Sequence, residues 1–243
     1  MAVLVSTVVS TVVGRVLEAG IAVLRSVRGS RPMHPHGVTV TGTLTPRAGR
    51  GPSGLAWLDE LEASQPVAIT GRISRGAGLP ALLPDIQGLA IRVPTPSGGL
   101  VDILTSASGV GVPGRFGLTL RRSIAGARLS TIMPYRGANG PVLLMLIADA
   151  EPHLPADLDA LARTLSITPL RLRLLHATPR GLWHLVGHVE LRHDPAAPVD
   201  SDTRYDAVLS APAENTYAWT RRVREPGYRL SRAGRRVASA DEH

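Results

Sequence analysis

Between residues 38 and 191 the chain is a succession of short β-rich runs broken by glycine and proline, and this pattern constrains its fold more than any other feature. The runs are 38–44, 67–74, 89–93, 100–104, 142–147, 170–175 and 182–191. They are rich in Val, Ile, Leu or Thr and bounded by turn residues, as strands are. Glycine- and proline-rich stretches at 47–54, 76–84 and 109–114 separate several of them. Residues 155–165 alone change period, with Leu158, Leu161 and Leu165 on one helical face. Strands without intervening helices cannot make parallel crossovers, so the pattern predicts an α+β chain built on a mainly antiparallel β-barrel with a few flanking helices. For 243 residues a barrel of this kind forms one domain, 1–243.

Ahead of the strands, Val8, Val9, Val12, Val13, Val16, Leu17, Ile21 and Leu24 recur with helical period, which predicts an amphipathic helix within residues 1–30. Its apolar face needs a partner: the protein body, a second copy in a homodimer, or a membrane surface held weakly through residues 8–28. The barrel is expected over 31–215, a helix over 216–236, and a disordered polar tail over 237–243. Arg15 and Glu18 interrupt the apolar start, no uncharged run reaches the roughly 18 residues of a membrane span, and the start lacks a basic leader region, so a cytoplasmic protein is expected.

All 27 basic residues are arginine, and the net charge is +8. Such a balance favours an anionic partner: nucleic acid, a phospholipid surface or a carboxylate-bearing cofactor. Too few aromatics accompany the basic C-terminal run for a base-stacking platform, so no nucleic acid is expected. Cysteine is absent, which excludes disulfides, thiolate metal sites and cysteine nucleophiles.

Three clusters carry chemistry. In Arg224-Glu225-Pro226-Gly227-Tyr228 an arginine precedes a tyrosine by four residues, one helical turn, so the guanidinium can sit beside the phenol oxygen. An ordinary tyrosine ionises near ~10, and an adjacent cation together with a ferric ion favours the phenolate that iron ligation by oxygen requires. The bland alternative is a surface arginine and a packed tyrosine. In Arg31-Pro32-Met33-His34-Pro35-His36-Gly37 a histidine precedes a strand, where it can project into a barrel and exchange a proton near neutral pH; a satisfied loop histidine is the alternative. In Arg72-Ile73-Ser74 strand alternation puts Arg72 and Ser74 on one face. Ser74 could orient an imidazole there, and Arg72 would need an anion to offset its burial.

Together these residues resemble the haem catalases. Arg31-x-x-His34-x-x-Gly37 with Gly42 is similar to the catalase motif Arg-x-x-His-x-x-Gly with a later glycine in the strand, and Arg72-x-Ser74 to the Arg-Phe-Ser-Thr strand. The run Asp85 to Val93, then Gly98 and Asp102-Ile103-Leu104, resembles the catalase stretch from Arg-Gly-Phe-Ala through a hairpin to Asp-Leu-Val. Arg224-x-x-x-Tyr228 followed by Arg235 resembles the proximal helix in order and spacing.

The resemblance implies haem b, with Tyr228 as iron ligand, Arg224 stabilising its phenolate, and His34 over the opposite face supported by Ser74. It implies that Arg31, Arg72 and Arg235 hold the propionates, as charge-assisted pairs would, with Met33, Ser106 and Phe116 also lining the cofactor. The partners implied are a peroxide or small organic substrate and a reductant. Where catalases continue Gly-Asn-Asn after Asp-Leu-Val, this chain has Thr105, Ser106 and Ala107, so the amide that helps position peroxide is missing. Met33 stands where catalases usually carry valine. Peroxidase or organic-hydroperoxide chemistry, with weak or absent catalase activity, is therefore expected. A haem enzyme of specialised metabolism and a non-catalytic haem-binding protein are the alternatives.

Other signals carry less. The Gly109–Gly114 stretch satisfies GxGxxG but opens no helix. His184 and His188 sit in an alternating segment, and Trp57, Trp183 and Trp219 read as packing residues.

Overall fold

A computed structural model describes residues 34, 36–150, 153–207 and 210–223. The expected N-terminal helix, Arg31, Met33, Arg224, Tyr228, Arg235 and the tail lie outside the described residues.

Nine strands are present among them: β1 (Gly37–Pro46), β2 (Val67–Arg75), β3 (Gln87–Pro94), β4 (Leu100–Ala107), β5 (Arg128–Ser130), β6 (Tyr135–Gly137), β7 (Gly140–Ala148), β8 (Leu170–Ala177) and β9 (His184–Arg192). Their order is β5-β4-β3-β2-β1-β9-β8-β7-β6, and β5 also pairs with β7. That last pairing closes eight strands into an antiparallel barrel and leaves β6 as a short appendage on β7. Closure removes the exposed edges that an open sheet would present. The antiparallel barrel expected from the run of β-rich segments is the fold observed.

Strand alternation decides what fills it. Val38, Val40, Leu44, Ile69, Ile73, Leu89, Ile91, Val93, Val101 and Ile103 point inward and pack into one apolar core. On the opposite face of the same strands stand Arg72, Ser74, Gly88, Ala90, Leu104 and Ser106. Polarity and small size on that outer face are what a surface covered by something other than the barrel core requires.

Among the described residues, two α-helices lie in the connections between barrel strands. The one-turn α1 (Ala56–Asp59) buries Trp57 and Leu58, and Asp59 accepts bonds from Ser53 N, Ser53 Oγ and Gly54 N at 2.7–2.8 Å. The second, α2 (Leu158–Ile167), starts at Asp157, whose side chain caps the N–H of Ala160 at 2.9 Å, and it buries Leu161, Ala162 and Leu165. It begins and ends slightly later than the periodicity at 155–165 indicates, because the cap fixes its start.

The last strand ends at Arg192, and the chain then runs back over the outer face of β1–β4 as an irregular strap. Thr39 N–H bonds Val199 O at 2.7 Å. Arg92 holds Asp102 through two bonds of 2.6 and 2.8 Å, donates to Arg204 O, and lies over the Tyr205 ring at 5.0 Å. Asp206 N–H completes the clamp on Asp102 Oδ2 at 2.8 Å. Beyond the strap, residues 218–223 are helical.

Candidate functional site

The site is built around residues that lead into β1. His34 has φ of 54°, in the left-handed region that few non-glycine residues adopt, histidine being among those more tolerant of it. Two backbone bonds hold it there: its N–H donates to Gly76 O at 2.9 Å, and its carbonyl accepts from Arg72 Nη1 at 3.1 Å. The same guanidinium meets Asp200 through Nε and Nη2, both at 2.7 Å, and Asp200 Oδ2 accepts the N–H of Gly37 at 3.0 Å. Arg72 and Asp200 thus pin both ends of the 34–37 turn. Gly37 is required because a Cβ there would lie 2.7 Å from Arg72 Cζ and 2.5 Å from Ile73 O.

Placed by this junction, the imidazole lies on the outer face of the barrel wall, and its Nδ1 is 2.8 Å from Ser74 Oγ. The expectation that it projects into the barrel is corrected: Ile73 and Leu89 fill that space, and Ser74 alternates away from them. Ser74, Gly88, Ser106 and Ser130 are successive register partners, so they form one rung across four strands. Gly88 provides the room for the ring, since a Cβ there would stand 2.6 Å from His34 Cε1 and 3.0 Å from Nδ1. Nε2 has no partner among the described residues. With Nδ1–H donating to Ser74, Nε2 keeps a free lone pair and can take a proton.

Electrostatics favour the neutral ring. Burial pushes the His34 pKa down from 6.5 to about 4, the positive charge of Arg72 pushes the same way, and Asp85 offsets part of the shift. The imidazole is therefore held in its neutral form around neutral pH.

The other site residues anticipated from sequence fall into separate groups. Ser106 shares the rung and face of Ser74, two strands away, which is on the order of 10 Å. Thr105 points the other way and donates to Leu89 O at 2.7 Å, while Ser108 Oγ turns to Gly109 O. Phe116 is 42% exposed on a 3-10 turn, Gly114–Phe116, in the loop that leaves β4 and returns to pair at Ser108. Arg72 is on the correct face and buried, but the carboxylate in its fork is Asp200, not one that sequence reasoning named. Asp200 lies 128 residues from Arg72 and belongs to no motif. The need of a buried guanidinium for an anion was its only trace in the sequence.

Removing that anion should be costly. Asp200→Ala leaves a nearly buried guanidinium unpaired and frees Gly37 N–H, so we expect about 2–4 kcal/mol of lost stability, below the value for a fully buried pair because Asp200 is partly exposed. Urea unfolding of the variant measures it, and an unchanged midpoint would mean that Arg72 finds another partner.

The histidine pair set aside as a metal signal is resolved differently. His184 packs on His176 with ring centroids 5.4 Å apart, and His188 is on the surface 3.7 Å from Asp149. Among the described residues no group of three or more His, Asp or Glu is arranged to hold a metal ion.

The fold is a catalase-like barrel. No protein-family model matches the sequence, and no curated protein matches it at the sequence level. Among solved structures, a fungal catalase superposes with a TM-score of 0.60 at 12% identity, over 84% of this chain and 58% of that one. Catalase A from Saccharomyces cerevisiae superposes with a TM-score of 0.62 at 12% identity, over 84% of this chain and 60% of that one. The chain therefore has a catalase-like fold and spans about three-fifths of the length of these relatives.

Proposed function

We propose that this chain is a haem-dependent oxidoreductase acting on hydrogen peroxide or an organic hydroperoxide, with peroxidase-type turnover favoured over rapid disproportionation of peroxide. The observation that carries the reading is His34: an imidazole kept neutral, oriented by Ser74 through Nδ1, with Nε2 unpartnered among the described residues over a wall of small and apolar groups.

The wall suits a flat macrocycle. Gly88 lets the imidazole lie close against it, Ala90 beside it projects only a methyl group, and Leu104 adds an apolar surface. A bound haem b would supply the redox chemistry that splits the O–O bond. His34 Nε2 would accept the proton of the incoming hydroperoxide and hand it to the oxygen that departs. Ser74 would hold the ring in the tautomer this needs. Because Asp200 occupies the fork of Arg72, the propionates would fall to Arg31 and Arg235, and Tyr228 would hold the iron with Arg224 beside its oxygen, as the catalase resemblance implies. By the catalase resemblance Ser106 or Ser108 would supply a hydroxyl in place of the peroxide-positioning amide, and that shorter group is the reason peroxidase chemistry is preferred.

The test is an absorption spectrum of the purified chain with added haemin. We expect a high-spin ferric spectrum with a phenolate charge-transfer band that disappears in Tyr228→Phe. A chain that stays colourless with haemin would overturn the proposal.

A further inference from the structure

We propose that the platform formed by residues 77–84 and 117–122 is a docking surface for an anionic phospholipid membrane.

Five leucines are exposed there: Leu79 by 37%, Leu82 by 86%, Leu83 by 49%, Leu118 by 55% and Leu120 by 63%. Large apolar side chains grouped on a surface mark a partner site, whereas isolated ones need no explanation. These are grouped by construction. Asp85, completely buried, accepts the N–H groups of Ala77 at 2.8 Å and Leu79 at 3.0 Å. Arg75, also buried, donates through Nη2 to Pro80 O at 3.1 Å and Leu83 O at 2.7 Å, and through Nη1 to Arg122 O at 3.4 Å. Asp85 and Arg121 exchange backbone bonds of 3.0 and 2.8 Å. One buried Arg and Asp therefore staple the loop to the neighbouring segment and leave the leucines no core of their own to enter.

Charge selects the partner. Arg121 and Arg122 are exposed beside the leucines, and neither makes an ion pair among the described residues. From residue 103 to 148 the sequence holds five arginines and no Asp or Glu. His34, whose N–H is bonded to Gly76 O beside this platform, follows the N-terminal segment 1–33 in sequence. That segment carries Arg15, Arg25, Arg28 and Arg31 against Glu18, so it repeats the same charge instead of complementing it. A second copy of the platform would likewise bring arginine to arginine. Leucines that insert and arginines that meet phosphate suit an anionic bilayer surface.

Co-sedimentation of the full chain with vesicles tests this. We expect partitioning onto equimolar phosphatidylcholine–phosphatidylglycerol vesicles that weakens with salt, and little onto phosphatidylcholine alone. Arg121→Gln with Arg122→Gln should weaken it about 30-fold. Leu82→Ser with Leu120→Ser should weaken it at least about tenfold even on the anionic vesicles, with the melting temperature unchanged because both side chains are exposed. The proposal is overturned if the wild-type chain ignores anionic vesicles, or if both double variants bind like wild type, which would place the contact in residues 1–33. It is equally overturned if the leucine variant turns a dimer into a monomer in light scattering while vesicle binding persists.

Discussion

Replacing His34 by alanine should lower peroxide turnover by about 10²- to 10⁴-fold, the range contributed by a positioned acid–base group, without preventing haem uptake. Through its side chain the imidazole hydrogen-bonds only Ser74 among the described residues, and the iron ligand inferred for this chain lies elsewhere, so uptake and turnover are separable. A pH signature distinguishes this role from simple packing. With a folded pKa of about 4, His34 stays neutral down to mildly acidic pH, so the acid limb of kcat/KM is expected near 4 rather than near 6.5. The same shift acts on stability. The unfolded chain takes up a proton near 6.5 and the folded chain only near 4, so between those values the unfolded state binds more protons. Stability contributed by the neutral ring is therefore complete above about 6.5 and lost as pH falls toward 4. His34→Ala should remove both effects: the stability of wild type relative to the variant should decline over that window. Ser74→Ala should give a smaller loss of turnover, since it leaves Nε2 in place but releases the ring. Full turnover in His34→Ala would end the case for His34 as the acid–base residue.

The barrel was legible because its strands announce themselves twice, by β-branched composition and by the glycine and proline breaks between them. The run at 182–191 and the strand His184–Arg192 differ by only two residues at one end and one at the other. The short strands Arg128–Ser130 and Tyr135–Gly137 were not legible, since three residues are too few to show alternation. The strand at Arg128 is nevertheless the one that closes the barrel. At the site, His34 and Ser74 were named from sequence and are brought together at 2.8 Å. What sequence did not supply was the side of the wall. That depends on which alternation meets the core, and Arg72, Ser74 and Gly88 give no apolar vote of their own. Asp200 was missed for a related reason: the pairing that fixes Arg72 is made by tertiary structure across 128 residues, and no local pattern encodes it.

Two glycines in these motifs should fail in different ways, and the contrast separates fold from chemistry. Gly42 lies in β1 opposite Leu191 of β9, and a Cβ on it would fall 1.7 Å from Glu190 O and 2.8 Å from Glu190 C. Both are backbone atoms of a paired strand, so relief requires the two strands to part and several ladder bonds to weaken. Gly42→Ala should cost about 3–5 kcal/mol, a large share of the roughly 5–15 kcal/mol that holds a typical domain together. Whatever fraction remains folded should keep its turnover, because His34 and Ser74 are held from β2 and the 34–37 turn. Gly88→Ala instead meets the edge of the imidazole at 2.6 Å, and an imidazole can swing aside. Its stability cost should stay near 1–2 kcal/mol, but a ring displaced by about an ångström loses on the order of 10²-fold in rate. Urea midpoints read with turnover per folded molecule resolve the two. A Gly88→Ala chain that turns over peroxide at the wild-type rate would show that the ring's seat on this wall has nothing to do with the chemistry.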